Sequence, residues 1–465
     1  MVPREAVKGE AETRRGAGSE SGFEPGFEPG FESWGRYPKL AAEVVPLHWR
    51  TEFPLARPTG RKQLPVGLGR SYGDVCLLEN GTLLATPGMD RLLHFDAATG
   101  VLCCEAGASL EQILDFAVPR GFFLPVTPGT KYVTVGGAIA NDIHGKNHHV
   151  AGTFGRHVLR FELARSDGSR FVCSPVENPE WFAATIGGMG LTGLITWAEF
   201  HLRPIVSRKI DYQGDKFHGI DEFFALSQAA GSEYTVAWID CVSTGRNFAR
   251  GIFMQGDHAQ TPGPLTRSRS SKLVFPIDLP EIALNKGSMA AFNALYYHKQ
   301  LGRRKVGPVD YEPFFYPLDA VQHWNRMYGK QGLLQFQNVI PPAGGREGMI
   351  EILKAITKSG LASFLAVIKF FGEVPSVGMM SFPTPGVMLA LDFPIRKDVS
   401  FELVDRLARI TLEHGGRMYS AKDARMTAEQ YQACYPQWEE FARYVDPGFD
   451  SGFWQRVTGR RRLDV

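Results

Sequence analysis

Apolar and polar positions along the chain change period repeatedly, and each change marks an element. Gln63–Val66 reads as a short strand and residues 101–106 as a second. Ser109–Val118 reads as a helix, with Ser109 as its cap and Glu111 in its first turn. Phe122–Val126 is β-like again. His157–Ala164 and Arg170–Ser174 predict a hairpin turning at Asp167-Gly168, then a short helix over Glu180–Thr185 and a strand over Leu194–Leu202. LLENGTLLAT predicts another hairpin, turning at Asn80-Gly81. Past residue 205, strands are predicted at Ile210–Tyr212, Tyr234–Cys241, Arg250–Met254, Phe364–Phe371 and Met388–Phe393, with a helix at Ile220–Ala230. LLQFQNVIP adds a strand with Gln335 and Gln337 on one face. The mixture predicts an α+β protein in which an antiparallel sheet carries helices on one face. Between Gln260 and Lys330 the pattern loosens around TRSRSSK, LGRRK and several prolines. That stretch reads as exposed loops; its functional reading is a basic surface meeting a phospholipid-like substrate or an anionic membrane.

Length and composition narrow the classes. A chain of 465 residues exceeds one compact core and predicts two or three domains. Residues 1–33 carry the repeat GFEPGFEPGFE after a Glu/Arg/Gly/Ser-rich lead. They lack the apolar stretch of a secretory signal and cannot build a core, so a disordered tail is expected, with order starting near Trp34. Lys+Arg 51 against Asp+Glu 49 gives no global footprint for nucleic acid. Cysteines at 76, 103, 104, 173, 241 and 434 show no CxxC or Cys/His ligand spacing, which argues against zinc and disulfides and for reduced thiols in a cytosolic protein. The longest apolar run, Leu361 to Ile368, is broken by Lys369 and is too short to span a bilayer. A soluble protein, or one peripheral at a membrane, is expected.

The chemistry concentrates in glycine-rich stretches. PGTKYVTVGGAIANDIHGKNHHVAGTFG, residues 128–155, is dense in glycine and small residues, and its clustered N–H groups suit a pyrophosphate, with His144 toward the reactive end of a cofactor. GLGRSYGD, from Gly67, offers Gly67, Gly69 and Gly73 for close approach, with Arg70 and Ser71 to hydrogen-bond nearby. The same loop matches G-x-S-x-G, but that elbow needs a helix directly after it, and LLENGTLLAT follows instead. Gly145-Lys146 lacks the first glycine and the hydroxyl residue of a Walker loop. His148-His149 read as solvent-facing or hydrogen-bonded loop residues and not as metal ligands. Gly188, Gly190 and Gly193 spell G-x-G-x-x-G without the strand-then-helix context of a dinucleotide fold, and read as a flexible turn beside a cofactor. Lys369 in an apolar strand is expected to snorkel or to meet a charge. Lys422 reads as a surface lysine paired with Asp423, in a segment that places a lysine and a tyrosine on a strand before a helix capped by Thr427.

In the order GLGRSYGD, PGTKYVTVGGAIANDIHGKNHH, AGTFG and GGMGLTGLI, the chain resembles the FAD-binding domain of the vanillyl-alcohol-oxidase superfamily, and within it the decaprenylphosphoryl-β-D-ribose 2′-oxidases of cell-wall arabinan synthesis. The similarity runs from about Trp34 to the C-terminus. It implies a two-part FAD-binding domain over 34–205 and 415–465, and an antiparallel-sheet substrate domain over 206–414. FAD contacts are implied for Gly67, Leu68, Gly69, Arg70, Ser71, Tyr72, Gly73, Asp74, Gly129, Thr134, Val135, Gly136, Gly137, Asn141, Asp142, Ile143, His144, Ile195 and Tyr419. Substrate contacts are implied for Tyr72, Tyr316, Gln335, Gln337, Lys369, Ala390 and Lys422, with Lys422 and His144 as catalytic residues.

The implied reaction is FAD-dependent oxidation of a secondary sugar hydroxyl by hydride transfer to flavin N5. The 2′-OH of a polyprenylphosphoryl pentose is the implied substrate, in the first half of an epimerisation that a short-chain reductase would complete. An aldonolactone or sugar-alcohol oxidase of the same superfamily is the alternative; a hydrolase using Ser71, or a flavin-fold binding protein without chemistry, is more remote. Many superfamily members tether flavin through a histidine just before the loop serine. Arg70 occupies that position here, which implies non-covalent FAD. Actinobacterial members of the decaprenyl-type family carry a cysteine where this chain has Ala390, which by period two shares a face with Met388 and Asp392.

Overall fold

Two small sheets take up the first 200 residues. The computed structural model describes residues 30–55, 60–266, 273–280 and 284–461. Strands β1 (Glu43–Pro46), β2 (Gln63–Val66) and β3 (Thr82–Ala85) form a parallel sheet with β3 in the middle. Strands β4 (Leu92–Asp96), β5 (Val101–Glu105), β6 (Val158–Ala164), β7 (Arg170–Cys173) and β8 (Leu194–His201) form an antiparallel sheet in the order β4-β5-β8-β6-β7. Helix α1 (Leu110–Ala117) starts where Ser109 Oγ accepts from the Gln112 amide at 3.1 Å. Its Leu110, Ile113, Leu114 and Ala117 are buried, the stripe expected of a surface helix. Helix α2 (Val135–Ala140) begins in the same way, Thr134 Oγ1 accepting from Gly137.

The predicted hairpin at Asn80-Gly81 does not form. Asn80 takes the left-handed turn conformation at φ 55°, but both edges of β3 are occupied by parallel partners. Leu77 and Leu78 lie buried after a 3₁₀ turn at Asp74–Cys76 and pair with nothing in a ladder. Phe122–Val126 shortens to a two-residue strand, Phe122–Phe123, paired with Arg203–Pro204.

The rest of the chain is organised by one antiparallel sheet. Its strands are β9 (Lys209–Phe217), β10 (Tyr234–Ile239), β11 (Gly251–His258), β12 (Arg304–Asp310), β13 (Leu333–Ile340), β14 (Ala366–Phe371), β15 (Gly386–Pro394) and β16 (Arg417–Met418), in the order β12-β9-β11-β10-β14-β15-β13-β16. Helices α3 (Gly219–Ala229), α5 (Pro342–Ser359) and α6 (Lys397–Glu413) share a core with it through Phe223, Ile352, Ile356 and Leu407. Between Gln260 and Lys330 the loops expected from the sequence give way to a 14-residue helix α4 (Lys286–Lys299) and to edge strand β12. Helix α4 hid because Met289, Asn293 and Tyr297 form its buried stripe while Phe292 and Leu295 stay exposed, so no apolar periodicity shows. Most of TRSRSSK lies outside the described residues.

The ends of the described chain are tied to the first sheets. The tail expected over 1–33 lies outside the described residues as far as residue 29; of its remainder, Phe31 packs on the core and Ser33 Oγ donates to the Tyr72 carbonyl at 3.0 Å. After β16, a 3₁₀ turn at Ser420–Lys422 replaces the strand expected there, and Thr427 caps α7 (Ala428–Cys434) with a capping box. The Asp450 amide donates to Gln63 O at 3.0 Å, beside β2. Arg456, in α8 (Gly452–Val457), is buried between Asp74, at 2.7 Å, and Asp423, at 3.0 Å.

Candidate active site

A cavity of about 1480 Å³ opens between the glycine-rich loops and the outer face of the eight-stranded sheet. Gly67, Leu68, Gly69, Arg70, Ser71 and Tyr72 line it from the loop after β2. The N–H groups of Leu68, Gly69 and Arg70 have no partner among the described residues. Gly69 adopts φ +63°, and a Cβ on Gly67 would fall 2.4 Å from Thr134 Oγ1. Gly129, Thr134, Gly136, Gly137, Asn141, Ile143 and Ile195 continue the wall. Asn141 Nδ2 donates to Gly137 O at 2.9 Å, which leaves its buried Oδ1 without a partner among the described residues. Gly190 and Gly193 of the G-x-G-x-x-G run also line it.

Four residues expected at the cofactor stand behind this wall. A Cβ on Gly73 would lie 1.8 Å from Asp423 O, so its glycine serves the chain's own packing. Asp74 is held by Arg456, and Val135 is a core residue whose amide donates to Ala108 O at 2.8 Å. Asp142 accepts from the Gly155 amide at 2.9 Å and from Ser381 Oγ at 2.5 Å; burial pushes its carboxyl up to about 6. Tyr316, expected beside the sugar, does not line the cavity either. Its ring is buried among the Phe315 and Tyr311 rings, and its hydroxyl is 2.7 Å from Thr127 Oγ1.

The opposite wall comes from β13, β14 and β15. Register sets Gln335 against Asp392, Gln337 against Ala390 and Lys369 against Met388, and all six line the cavity. Gln335 Nε2 donates to Asp392 Oδ1 at 2.5 Å, and burial pushes the Asp392 carboxyl up to about 7. Lys422 is not the surface partner of Asp423, which is taken by Arg456. Its Nζ sits 4.1 Å over the Tyr72 ring, and burial lowers it to about 8 against the pull of Asp392.

His144 joins the two walls. Its Nε2 is 2.8 Å from Gln337 Nε2 and its Nδ1 is 3.0 Å from Lys369 Nζ, while Lys369 also donates to Gly145 O at 2.5 Å. The Gln337 amide nitrogen can only donate, so His144 Nε2 accepts and a neutral ring carries its proton on Nδ1. That arrangement requires a neutral Lys369 amine. Burial, then Lys146, holds Lys369 well below its ordinary value, and burial, then Lys369, does the same to His144. Lys369 thus neither snorkels nor meets a carboxylate. Tyr419 completes the corner: it lines the cavity, stacks on Phe382 at 4.6 Å and donates to Asn141 O at 2.8 Å.

Sequence reasoning passed over Lys146, Asp392 and Trp34, which all line the cavity. Lys146 donates to Phe315 O at 3.1 Å and burial lowers it to about 8; its place between glycine and asparagine in the glycine-rich stretch was its only signal. His148 is buried against Phe371, ring centroids 4.5 Å apart, with neither ring nitrogen partnered among the described residues, while His149 Nε2 lies 3.3 Å from Ser232 O. Ser71 has no histidine partner among the described residues, so no hydrolase relay is assembled there. No group of three or more candidate metal ligands, and no helix long and apolar enough to cross a membrane, occurs among the described residues.

Comparison with known proteins agrees with the site. Residues 51–174 match the FAD binding domain family. Decaprenylphosphoryl-β-D-ribose oxidase of Mycolicibacterium smegmatis is 37% identical over 435 residues, 89% of this chain and 94% of that one. An uncharacterized protein from the mprA 5′ region of Streptomyces coelicolor is 29% identical over 73% of this chain and 96% of its own. A putative D-arabinono-1,4-lactone oxidase of Neurospora crassa is 28% identical over only 33% of this chain and 27% of its own length. The glycine cradle, its free amides and the orphaned Asn141 Oδ1 fit a dinucleotide, and the coverage of the mycobacterial relative is nearly complete. The chain belongs to the decaprenylphosphoryl-β-D-ribose oxidase family and is a FAD-dependent oxidoreductase acting on a CH–OH group.

Proposed function

We propose that this protein oxidises the 2′-hydroxyl of a polyprenylphosphoryl pentose, holding FAD without a covalent bond, in the first half of an epimerisation completed by a separate short-chain reductase. The observation that carries the reading is a single cavity with a polar end and an apolar end. Gln335, Gln337, Asp392 and Lys422 gather opposite the glycine loops, and the same cavity runs out to Leu273, Val274, Met289, Phe292 and Leu318. Free sugars or lactones need no such apolar extension; a hydrocarbon chain does.

In this reading the chain divides into a cofactor domain, 34–205 with 415–465, and a substrate domain, 206–414. The loops around Gly67–Tyr72, Gly129, Thr134–Gly137, Asn141–His144, Ile195 and Tyr419 hold the cofactor. Arg70, at the usual tether position, offers no nucleophile for a flavin bond. FAD, when bound, supplies the hydride acceptor. Gln335 and Gln337 orient the sugar, and the neutral His144, fixed between Gln337 and Lys369, keeps Gln337 in register. Asp392, with its carboxyl near 7, receives the hydroxyl proton. Lys422 keeps a positive charge beside the oxygen as that proton leaves. Tyr72 walls off water beneath Lys422.

Along the apolar arm of the cavity Leu273, Val274 and Phe292 are exposed, and Lys299 and Lys305 line it beside them. Apolar side chains ringed by lysines suit peripheral contact with an anionic membrane, from which a lipid-linked substrate would enter.

Anaerobic titration tests the reading. A short-chain prenylphosphoryl ribofuranose should bleach the flavin, and free aldoses should not. Bleaching by D-arabinono-1,4-lactone but not by the prenylphosphoryl sugar would move the assignment to the lactone oxidases.

A further inference from the structure

We propose that the Arg70 guanidinium recognises the phosphate between the sugar and the lipid of the substrate. The inference rests on the reading of the substrate as a phosphate-linked sugar given above. Arg70 lines the cavity half-buried, its guanidinium carbon 4.0 Å from the centroid of Trp34 and 5.7 Å from that of Tyr132. Its only hydrogen bond among the described residues is a long one, 3.4 Å to Leu68 O. No carboxylate stands within ion-pair distance of it there. The nearest in electrostatic reach, Asp319, accepts the Lys131 amide at 2.9 Å and a hydrogen bond from Thr130. Two aromatic rings flank the guanidinium and no carboxylate holds its N–H groups, which leaves them for two oxygens side by side, the geometry in which arginine binds phosphate.

The place of Arg70 in the cavity matches the order of groups in such a substrate. On one side is Tyr72, two residues on, with Lys422 over its ring and the Gln335–Asp392 pair beyond. On the other side Trp34 meets Trp324 edge-on, centroids 5.5 Å apart. Trp324 stands two residues after the strand Val321–Gln322, which pairs with the exposed Leu273–Val274. The order sugar pocket, Arg70, apolar arm is the order sugar, phosphate, hydrocarbon. The other buried cations are less available, because Lys146 already donates to Phe315 O, Lys369 to Gly145 O, and Lys422 stands at the sugar end.

The test is calorimetric binding of prenyl phosphate and prenyl alcohol to FAD-loaded protein, alongside flavin reduction by prenylphosphoryl ribofuranose and by the matching phosphate-free prenyl ribofuranoside. Wild type should prefer the phosphate-bearing member of each pair by about 10- to 100-fold. Arg70→Gln should shrink that preference to within about threefold, and Arg70→Lys, a point charge without the fork, should fall between. An unchanged preference in Arg70→Gln overturns the assignment and leaves the substrate reading standing. If Arg70→Gln does not retain FAD, an unchanged preference in Arg70→Lys overturns it instead. No preference in wild type overturns the assignment and the phosphate-linked reading together.

Discussion

Replacing Lys422 by methionine should slow flavin reduction sharply while leaving the protein at least as stable. Lys422 ends a 3₁₀ turn with its ammonium over Tyr72, and burial lowers it from 10.5 to about 8. At roughly 1.4 kcal/mol per pH unit, that drop corresponds to about 3.5 kcal/mol of stability forgone when the lysine is charged, and the side open to the cavity reduces it to about 1–2 kcal/mol. The sign is fixed by linkage. The folded value lies below the unfolded one, so stability rises with pH between about 8 and 10.5, and below 8 the full penalty applies. At pH 7, Lys422→Met should therefore unfold at an equal or higher denaturant concentration, and the rise of stability toward pH 10 should flatten. The charge it loses is the one proposed to stabilise the hydroxyl oxygen as its proton departs, so the rate of flavin reduction should fall about 10²–10³-fold. In wild type that rate should decline at alkaline pH as Lys422 loses its proton, and the variant should lack this limb. Stopped-flow reduction from pH 6 to 10, with flavin absorbance to count loaded sites, measures all of it. Near-normal reduction by Lys422→Met, or the same alkaline limb in the variant, would refute the role.

Three further outcomes are expected. Acid precipitation should leave yellow flavin in the supernatant, because Arg70 stands where a tethering histidine would; flavin in the denatured pellet counts against this. Arg456→Met strands the Asp74 and Asp423 carboxylates in the interior and should cost about 3–5 kcal/mol by denaturant titration; a loss under 1 kcal/mol would mean the pairs are solvated. Ala390 faces the cavity opposite Gln337, so nitroaromatic compounds should inhibit reversibly and Ala390→Cys should create a mass-detectable adduct after turnover; an adduct on the unsubstituted protein, mapped to this cavity, would show the site to be misplaced.

The α+β class, the FAD-binding family and most strands were legible because their signals are local. Alternation over six to nine residues marks a strand wherever it pairs, and glycines that let a backbone approach a ligand do so within one loop. What failed to show depends on distant partners. Lys369 was expected to snorkel or to meet a charge because its actual partners, His144 Nδ1 and Gly145 O, lie some 225 residues away. Lys422 looked paired with its neighbour until Arg456, 33 residues on, claimed Asp423. LLENGTLLAT carried a true turn signal at Asn80, yet β1 and β2 filled both edges of β3. Helix α4 was hidden by the polar Asn293 in its buried stripe, whose side chain donates to Asp240, just past β10, at 3.0 Å.

These long-range arrangements share one physical feature. Lys146, Lys369 and Lys422 are all lowered by burial, and Asp392 is raised by it although Lys422 lies within reach. Desolvation therefore outweighs mutual attraction throughout the cavity, and the folded chain holds charges it would hold more easily in water. The imbalance is also one of sign: Arg70, Lys146 and Lys422 face Asp319 and Asp392. An anionic cofactor and an anionic substrate relieve both at once. Each raises the lysines toward their ordinary values and takes up protons as it binds, so affinity should weaken as pH climbs above about 8, where Lys146 and Lys422 enter neutral. A cavity arranged in this way holds its ligands by charge and solvation.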